Sequence, residues 1–495
     1  QVWAHQVGTP QSADVLVFQE DDDSIFVDVG STKDQRFVTI NGNSLSSSEV
    51  RILDAGHDFL TGKLPELTVV APRSEGVEYY VDHHDDHYYI LTNDNPKKNF
   101  RVMRANRNSP GRESWVELME AKDGEKIEDV DIFKNFMVIY AKRDALPVIS
   151  CYHFETGAVH EVPLPEQFCT ISAGVNLDYE TDSFQFTLNS PYAHEATYEY
   201  DMASRVMTAL RVHPIHRMFN MQLNGRNPTL MRAYGAYGVP TDIDFRVEHF
   251  PLLERGWIIA LAHRNTFTDF INVAEHLVEA GYTNPRRLTA SGVSAGGLLV
   301  GAVCNMRPDL FRAMVLNVPF LDPMTTMLDP EIPLTKVEYL EWGNPAESEK
   351  MYDYMASYAP YDTIPEYDER KHVSMRPTTF PPPPISSRRP ALMISCGERD
   401  QRVDYTQSTK FVARLRSRLE PWYGDEGKEA CVLMIDENRG HFGNGTQDDR
   451  VKNWAREVVF LLSNVQMEGS TGDGSLTMGN NSPGAAHSQG RSGSI

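Results

Sequence analysis

A serine within a run of small residues is the first feature of this sequence that could do chemistry. Ser294 lies in the run 292–297, Gly-Val-Ser-Ala-Gly-Gly, and a G-x-S-x-G turn of this kind lifts the serine oxygen clear of the backbone. The run 287–291 predicts a short buried strand before the turn, and the apolar run 298–303 predicts a helix after it. The motif indicates a nucleophilic serine, although a small-residue turn without chemistry has the same composition.

Two later polar loops could supply the base that such a serine needs. Asp400 and His441 follow the apolar runs 391–394 and 431–435, in the chain order Ser, Asp, His. In this interpretation His441 takes the proton from Ser294, while Asp400 orients the imidazole and stabilises its charged form. Each residue taken singly is also compatible with a solvated turn. Three of them in this order after three predicted strands favour a catalytic triad.

Longer motifs around Ser294 resemble the prolyl oligopeptidase family of serine peptidases. The similarity is clearest over 292–345, and within the family it is closest to oligopeptidase B, the branch that cleaves after Arg or Lys. The resemblance extends over most of residues 1–465. It implies an α/β-hydrolase domain beside an N-terminal β-propeller that admits only short peptides. The motifs that carry it are 305–311, 325–330 and 341–345.

The resemblance also implies how the reaction is assisted. Ser294, Asp400 and His441 match the family triad. Tyr234 matches a tyrosine whose hydroxyl helps to form the oxyanion hole, and the backbone N–H of Ala295 would be the other donor.

The resemblance further implies that carboxylates select the substrate. Glu338 matches an acidic residue of the primary pocket, Asp242 and Asp244 match an acidic pair near the second subsite, and Arg402 matches an arginine that holds a substrate carbonyl. A carboxylate in a partly dry pocket favours a guanidinium. Each of the three acids is equally compatible with a solvated surface position. The family has a second glutamate where this chain has Leu340, so we expect a less acidic pocket.

The N-terminal part repeats a pattern of three short strands. Units begin near Ser24, Val77, Glu128 and Ser172, at spacings of 53, 51 and 44 residues, which is typical of propeller blades with a further strand from the intervening segments. About four units fit before residue 212, against seven in the family, and an incomplete ring leaves strand edges unpaired. We therefore predict an all-β partial propeller of about four blades, an α/β-hydrolase domain and a disordered tail, at 1–212, 213–465 and 466–495.

Three segments depart from the family pattern. After Met218 the linker and the opening strands of the hydrolase domain are missing. After His263 the helix 266–280 follows almost at once, without the Gly-rich, acidic and aromatic loop that lines the family's cleft. Conversely, 366–390 contains Pro381–Pro384 and is typical of an added extended loop. A short strand-to-helix connection is still viable, so we expect the fold to survive and substrate binding to be affected.

The composition of the chain limits which partners and cofactors the protein is expected to bind. A chain of 495 residues is long enough for two cores. The net charge of −22 argues against nucleic acid and favours short basic peptides, and the sequence contains no apolar run of the length that a membrane span needs. Adjacent side chains of the turn 83–87, His-His-Asp-Asp-His, cannot all converge on one ion. We therefore expect no metal and no other cofactor.

The cysteines indicate the cellular compartment, and the N-terminus indicates whether the sequence is a fragment. Five cysteines without C-x-x-C pairing are typical of reduced, mostly buried thiols, which predicts a cytoplasmic protein. The sequence begins with Gln1 and has no signal-peptide pattern, so we expect a fragment. The oligomeric state is left open. The cysteines are Cys151, Cys169, Cys304, Cys396 and Cys431.

Together these features predict a serine oligopeptidase that cleaves short peptides after Arg or Lys through an acyl-enzyme on Ser294. Two alternatives stay open at this point: a catalytically impaired homologue that acts as a binding protein, and a prolyl-specific oligopeptidase. An esterase on the same fold is disfavoured by the repeats and by the three acids, since lipid-ester pockets are usually apolar.

Overall fold

The chain forms an N-terminal half of antiparallel sheets and a C-terminal half built on one parallel sheet. The computed structural model describes residues 1–96, 99–191, 193–212, 223–239, 241, 243–262, 266–366, 388–443 and 446–466. Most of the predicted added loop and tail, the linker after Met218 and the connection after His263 lie outside the described residues.

In the part of the N-terminal half that the structure describes, consecutive strands form four four-stranded antiparallel sheets, and β1 and β2 form a two-stranded ribbon. We call the sheets blades one to four: β3–β6, β7–β10, β11–β14 and β15–β18. The strands are β1 (Val2–Ala4), β2 (Val15–Phe18), β3 (Phe26–Ser31), β4 (Phe37–Asn43), β5 (Ser48–Asp54), β6 (Thr68–Val69), β7 (Tyr79–His84), β8 (His87–Thr92), β9 (Arg101–Asn106), β10 (Val116–Glu120), β11 (Glu125–Ile132), β12 (Phe136–Arg143), β13 (Leu146–His153), β14 (Val159–Glu161), β15 (Thr170–Ala173), β16 (Ser183–Ser190), β17 (Ala193–Asp201) and β18 (Val206–Arg211).

Alternating side chains explain why the blades stack. In β16 every second residue is buried, which places Phe184, Phe186 and Leu188 on one face. That face packs with Val138 and Tyr140 of β12 in one apolar cluster. The blades therefore bury their faces against each other, and the predicted partial propeller of about four blades is confirmed.

The C-terminal half contains a six-stranded parallel sheet in the order β20-β19-β21-β22-β23-β24. Its strands are β19 (Thr229–Arg232), β20 (Ile258–Leu261), β21 (Leu288–Val293), β22 (Ala313–Asn317), β23 (Ala391–Gly397) and β24 (Cys431–Asp436). The helices are α1 (Phe250–Leu253), α2 (Thr266–Glu279), α3 (Ala295–Met306), α4 (Pro323–Leu328), α5 (Thr335–Trp342), α6 (Glu349–Tyr358), α7 (Pro360–Thr363), α8 (Tyr405–Arg418), α9 (Glu420–Tyr423) and α10 (Gln447–Gln466).

Helices cover both faces of this sheet. Residues of α2, α3 and α8 pack in one cluster with the sheet, while α1 and α10 contribute to a second cluster that contains Leu230 and Val315. Strands β22 and β23 are buried along their whole length, as expected for parallel strands covered on both sides. The predicted α/β-hydrolase fold is confirmed. None of the described helices has the length and apolar character that would let it cross a membrane.

Candidate active site

Ser294 lies at a sharp turn between β21 and α3. Its φ of 57° and ψ of −118° are unusual for a residue with a side chain. The turn needs glycine on both sides: a Cβ on Gly292 would lie 2.0 Å from the carbonyl oxygen of Gly296, and a Cβ on Gly296 would lie 2.5 Å from that of Ala233. The Ser294 N–H donates to the Asn317 carbonyl of β22 at 2.9 Å. Close backbone packing therefore holds the serine in this conformation.

Three predicted residues meet at the carboxyl ends of the parallel strands. Asp400 follows β23 and His441 follows β24, and the His441 imidazole lies between Asp400 and Ser294. The distance between His441 Nε2 and Ser294 Oγ is 3.0 Å, and that between His441 Nδ1 and Asp400 Oδ2 is 2.7 Å. The backbone N–H groups of Arg402 and Val403 donate to Asp400 Oδ1, both at 2.9 Å. The site thus contains a continuous hydrogen-bonded series from hydroxyl to imidazole to carboxylate.

The environment of Asp400 favours its charged form. Burial acts to raise the pKa of this carboxyl, but the hydrogen bonds from His441, Val403 and Arg402 outweigh it and hold the pKa below the usual value. A charged Asp400 accepts a hydrogen bond from the Nδ1–H of His441, which leaves Nε2 as the acceptor for the serine hydroxyl. This arrangement suits a base that removes the Ser294 proton.

Two hydrogen-bond donors lie next to Ser294. Tyr234 and Ser294 line the same cavity, and burial raises the pKa of this tyrosine, so the hydroxyl stays protonated. Ala295 is the first residue of α3, and the N–H of a first helical residue has no acceptor within its helix. Both groups are available to stabilise negative charge beside the serine.

A cavity of about 360 Å³ opens at Ser294 between the two halves of the chain. Hydrolase residues form most of its wall, and Phe26 and Leu45 of blade one contribute from the opposite side. Its charged lining residues among those described are Glu338 and Arg402. The remaining lining residues are Tyr234, Tyr237, Val239, Ala295, Phe320, Thr326, Met327, Pro333, Leu334, Thr335, Val337 and Val403.

Glu338 is held by two donors inside this cavity. Its Oε2 atom accepts from the Tyr237 hydroxyl at 3.1 Å and from Trp342 Nε1 at 2.8 Å. Glu341 fixes the backbone of Tyr237 in turn, because its Oε1 accepts the Tyr237 N–H at 2.7 Å. Leu340 is 56% exposed and is not among the described lining residues. Residues two apart on a helix do not share a face, so position 340 does not contribute to this wall.

The other predicted acids and the arginine differ in position. Asp244 accepts from Arg246 Nε at 2.8 Å and is not among the described residues that line the cavity. Asp242 lies outside the described residues. Arg402 lines the cavity, and its guanidinium lies 5.1 Å from the ring centre of the exposed Phe442.

Sequence patterns did not indicate Tyr237, Phe26 and Leu45 of the cavity lining, nor Trp342, which donates to Glu338 beside it. Trp342 is four positions after Glu338 on α5, a helical spacing that brings side chains together and could have signalled the contact. Tyr237 lies in the same short motif as Tyr234, but nothing in that motif indicates a contact with α5. Phe26 and Leu45 come from a distant part of the chain, and no local pattern points to them.

The histidine-rich turn has structural partners. His83 Nδ1 lies 2.6 Å from Asp34 Oδ2, and His84 Nε2 lies 2.8 Å from the Lys134 carbonyl oxygen. In the described part of the chain, no group of three His, Cys, Asp or Glu residues could hold a metal ion.

Both halves of the chain match models of domains from one protein family. The model of the prolyl oligopeptidase N-terminal β-propeller domain matches residues 1–213, and the model of the prolyl oligopeptidase family matches 255–468. The chain is 32% identical to dipeptidyl aminopeptidase BI of Pseudoxanthomonas mexicana, covering 94% of this chain and 66% of the relative. It is 29% identical to Protease 2 of Moraxella lacunata, covering 94% and 69%.

Solved structures of the same family are similar to this chain as well. Oligopeptidase B of Trypanosoma brucei superposes with a TM-score of 0.82 at 30% identity, over 94% of this chain and 69% of that one. The chain thus spans about two thirds of the length of the relatives it matches. With two matching domain models in the family's order and relatives that cover nearly all of its length, this chain belongs to the prolyl oligopeptidase family of serine peptidases.

Proposed function

We propose that this chain is a serine oligopeptidase that cleaves short peptides on the carboxyl side of Arg or Lys. The observation that carries the proposal is the hydrogen-bonded series Ser294, His441 and Asp400, with distances of 3.0 and 2.7 Å, at a strand-to-helix elbow. In this proposal Ser294 is the nucleophile, His441 the general base and Asp400 the residue that orients it.

The reaction proceeds in two steps. His441 Nε2 takes the Ser294 proton as Oγ attacks the peptide carbonyl, and the oxyanion is stabilised by the Tyr234 hydroxyl and the Ala295 N–H. His441 then gives its proton to the leaving amine, which breaks the C–N bond and leaves an ester on Ser294. Water attacks that ester with His441 as base and releases the acid half of the peptide.

The basic specificity has two supports. Glu338 is the carboxylate among the described cavity residues, and it lies in a partly buried position where charge pairing is strong. The net charge of −22 attracts cationic peptides to the molecule as a whole.

We also propose that the protein works in the cytosol. All five cysteines are free, and four are buried. Reduced thiols of this kind suit a reducing compartment.

Hydrolysis of matched fluorogenic peptides tests the function. Two peptides that differ only in Arg or Pro before the reporter group are compared with wild type and Ser294→Ala. We expect cleavage of the Arg peptide that disappears in Ser294→Ala. Cleavage of the Pro peptide in preference to the Arg peptide would instead establish the prolyl-specific alternative.

A second candidate function is a catalytically impaired homologue that binds peptides. The observation that favours it is the short connection between β20, which ends at Leu261, and α2, which begins at Thr266, because the family resemblance implies a cleft-lining loop at this point. Titration with a fluorophosphonate separates the two. Stoichiometric labelling that is lost in Ser294→Ala supports catalysis, whereas folded protein that takes no label supports the impaired homologue.

A further inference from the structure

Glu338 presents its two oxygens unequally to anything that enters the cavity. Oε2 accepts from both Tyr237 and Trp342, at 3.1 and 2.8 Å. A carboxylate oxygen has two lone-pair directions, so these two donors fill those of Oε2. Oε1 accepts no hydrogen bond from any residue that the structure describes.

The two donors are themselves fixed. Trp342 is 8% exposed, and its ring packs edge-on against that of Tyr237 at 5.7 Å. Burial, followed by the charge of Glu338, raises the pKa of Tyr237 far above its usual value, so its hydroxyl keeps the proton that it donates. The Tyr237 backbone has a positive φ of 56° and is tied to Glu341. Glu338 therefore cannot easily turn Oε2 toward a ligand.

The unequal oxygens of Glu338 affect whether the cavity favours an arginine or a lysine side chain. An arginine gains most from a carboxylate when two parallel N–H groups engage both oxygens. A lysine ammonium is a compact point charge and needs only one oxygen. With Oε2 occupied and no second carboxylate among the described lining residues, arginine loses its geometric advantage.

We propose that Tyr237 and Trp342 are positioning residues that leave Glu338 Oε1 as the single acceptor, and that the cavity consequently takes lysine as readily as arginine. The proposal rests on the proposed function, because it assumes that Glu338 receives the basic side chain. Beyond that function, it predicts that the cavity accepts lysine and arginine side chains about equally.

Equilibrium binding to Ser294→Ala protein tests the proposal without relying on turnover. Three blocked tripeptide amides are used that differ only in the last side chain: arginine, lysine, and the neutral arginine isostere citrulline. We expect arginine and lysine affinities within about threefold of each other, and citrulline at least about tenfold weaker, since it lacks the charge. The kcat/KM ratio of the matching substrates with wild type should follow the same order.

The Tyr237→Phe variant tests the role of the tyrosine. Removing its hydroxyl frees one lone pair of Oε2 for a second guanidinium N–H, so we expect the arginine-to-lysine ratio to rise about fivefold, the equivalent of one hydrogen bond. Trp342→Phe removes the other donor and should act in the same direction. Tyr339→Phe, on the same helix, is the matched control and should leave the ratio unchanged.

The outcomes separate this proposal from the function on which it rests. A wild-type preference for arginine above about tenfold, with citrulline still weak, overturns the proposal and leaves basic specificity intact. An unchanged ratio in folded Tyr237→Phe and Trp342→Phe also overturns it. If citrulline binds as well as arginine and lysine, or none of the three binds to folded protein, both basic specificity and the proposal are wrong.

Discussion

At the scale of single residues, Asp400 is the carboxylate hydrogen-bonded to the imidazole of His441, which it is proposed to orient. It accepts from His441 Nδ1 at 2.7 Å and from two backbone N–H groups at 2.9 Å. We predict that Asp400→Asn lowers kcat/KM for a basic peptide by about 10³- to 10⁴-fold, because an amide no longer selects the Nδ1-protonated imidazole. Steady-state kinetics measure the effect.

The matched control for this change lies four residues further along the chain. Asp404 is exposed and caps α8 through the Thr406 N–H, and asparagine is an equally good cap. Asp404→Asn should therefore keep nearly full activity. Similar rates for both variants would show that Asp400 does not orient the base.

The buried His249 should make the stability of the fold depend on pH. Its Nε2 lies 2.8 Å from Arg232 Nη1, and burial followed by the charges of Arg232 and Arg246 lowers the pKa of His249 to about 3. An unfolded histidine has a pKa of about 6.5. Between these two values the unfolded state binds the extra proton, so stability falls as pH falls below about 6.5.

We predict that wild type loses about 2 kcal/mol of stability through this residue between pH 7.5 and pH 5, at about 1.4 kcal/mol per pH unit. His249→Gln keeps a neutral acceptor for Arg232 and should lack this part of the loss. Urea unfolding at the two pH values measures the difference. An equal loss in both proteins would show that His249 titrates normally in the fold.

At the scale of elements, Tyr79 links blades one and two. This residue of β7 is 1% exposed, and its hydroxyl accepts from the N–H groups of Val50 and Ala71 and donates to the Ala71 carbonyl, at 2.6 to 3.1 Å. We predict that Tyr79→Phe lowers the free energy of unfolding by about 2 to 4 kcal/mol, because two buried N–H groups lose their acceptor. Thermal or urea unfolding measures the loss.

Tyr140 of β12 is the control for this prediction. It is also buried, but its hydroxyl has no hydrogen-bond partner among the residues that the structure describes. Tyr140→Phe should be neutral or slightly stabilising, since it removes an unpaired polar atom. If both variants lost the same stability, the hydroxyl contacts of Tyr79 would not matter.

At the scale of the whole molecule, the cavity depends on both halves of the chain. Phe26 of β3 is half exposed, yet it lines the same cavity as Ser294 and Glu338. We predict that Phe26→Ala raises KM for a short basic peptide about fivefold and changes kcat little, because about 1 kcal/mol of apolar contact is lost away from the reacting atoms. Phe168→Ala, at a similarly exposed position outside the described lining, should leave KM unchanged.

Much of the fold and the placement of Ser294, Asp400 and His441 at strand ends could be predicted from local patterns. The predicted strands before Ser294, Asp400 and His441 are present as β21, β23 and β24. The repeat near 24, 77, 128 and 172 corresponds to the four blades. These signals are local: they depend on apolar runs, small-residue turns and their order, which a single sequence displays.

The fate of the predicted acids shows what local patterns could not supply. Glu338 lies in the cavity, whereas Asp244 pairs with Arg246. Arg246 is two residues after Asp244, so a local pairing was visible in the sequence. The position of Glu338 in one cavity with Ser294, Phe26 and Leu45 was not, because that wall is assembled from segments distant in sequence.

The two-part architecture and the strand ends that carry Ser294, Asp400 and His441 are written in the local patterns of the chain, because parallel strands present their carboxyl ends along one edge of the sheet. The surroundings of these three residues follow from the packing of distant segments. The packing of blade one against the hydrolase half brought Phe26 and Leu45 to the cavity, and the approach of Tyr237 to α5 occupied Glu338 Oε2. The physical reason is that hydrogen bonds and apolar contacts act over a few ångströms, so they are specified only once distant segments are packed together.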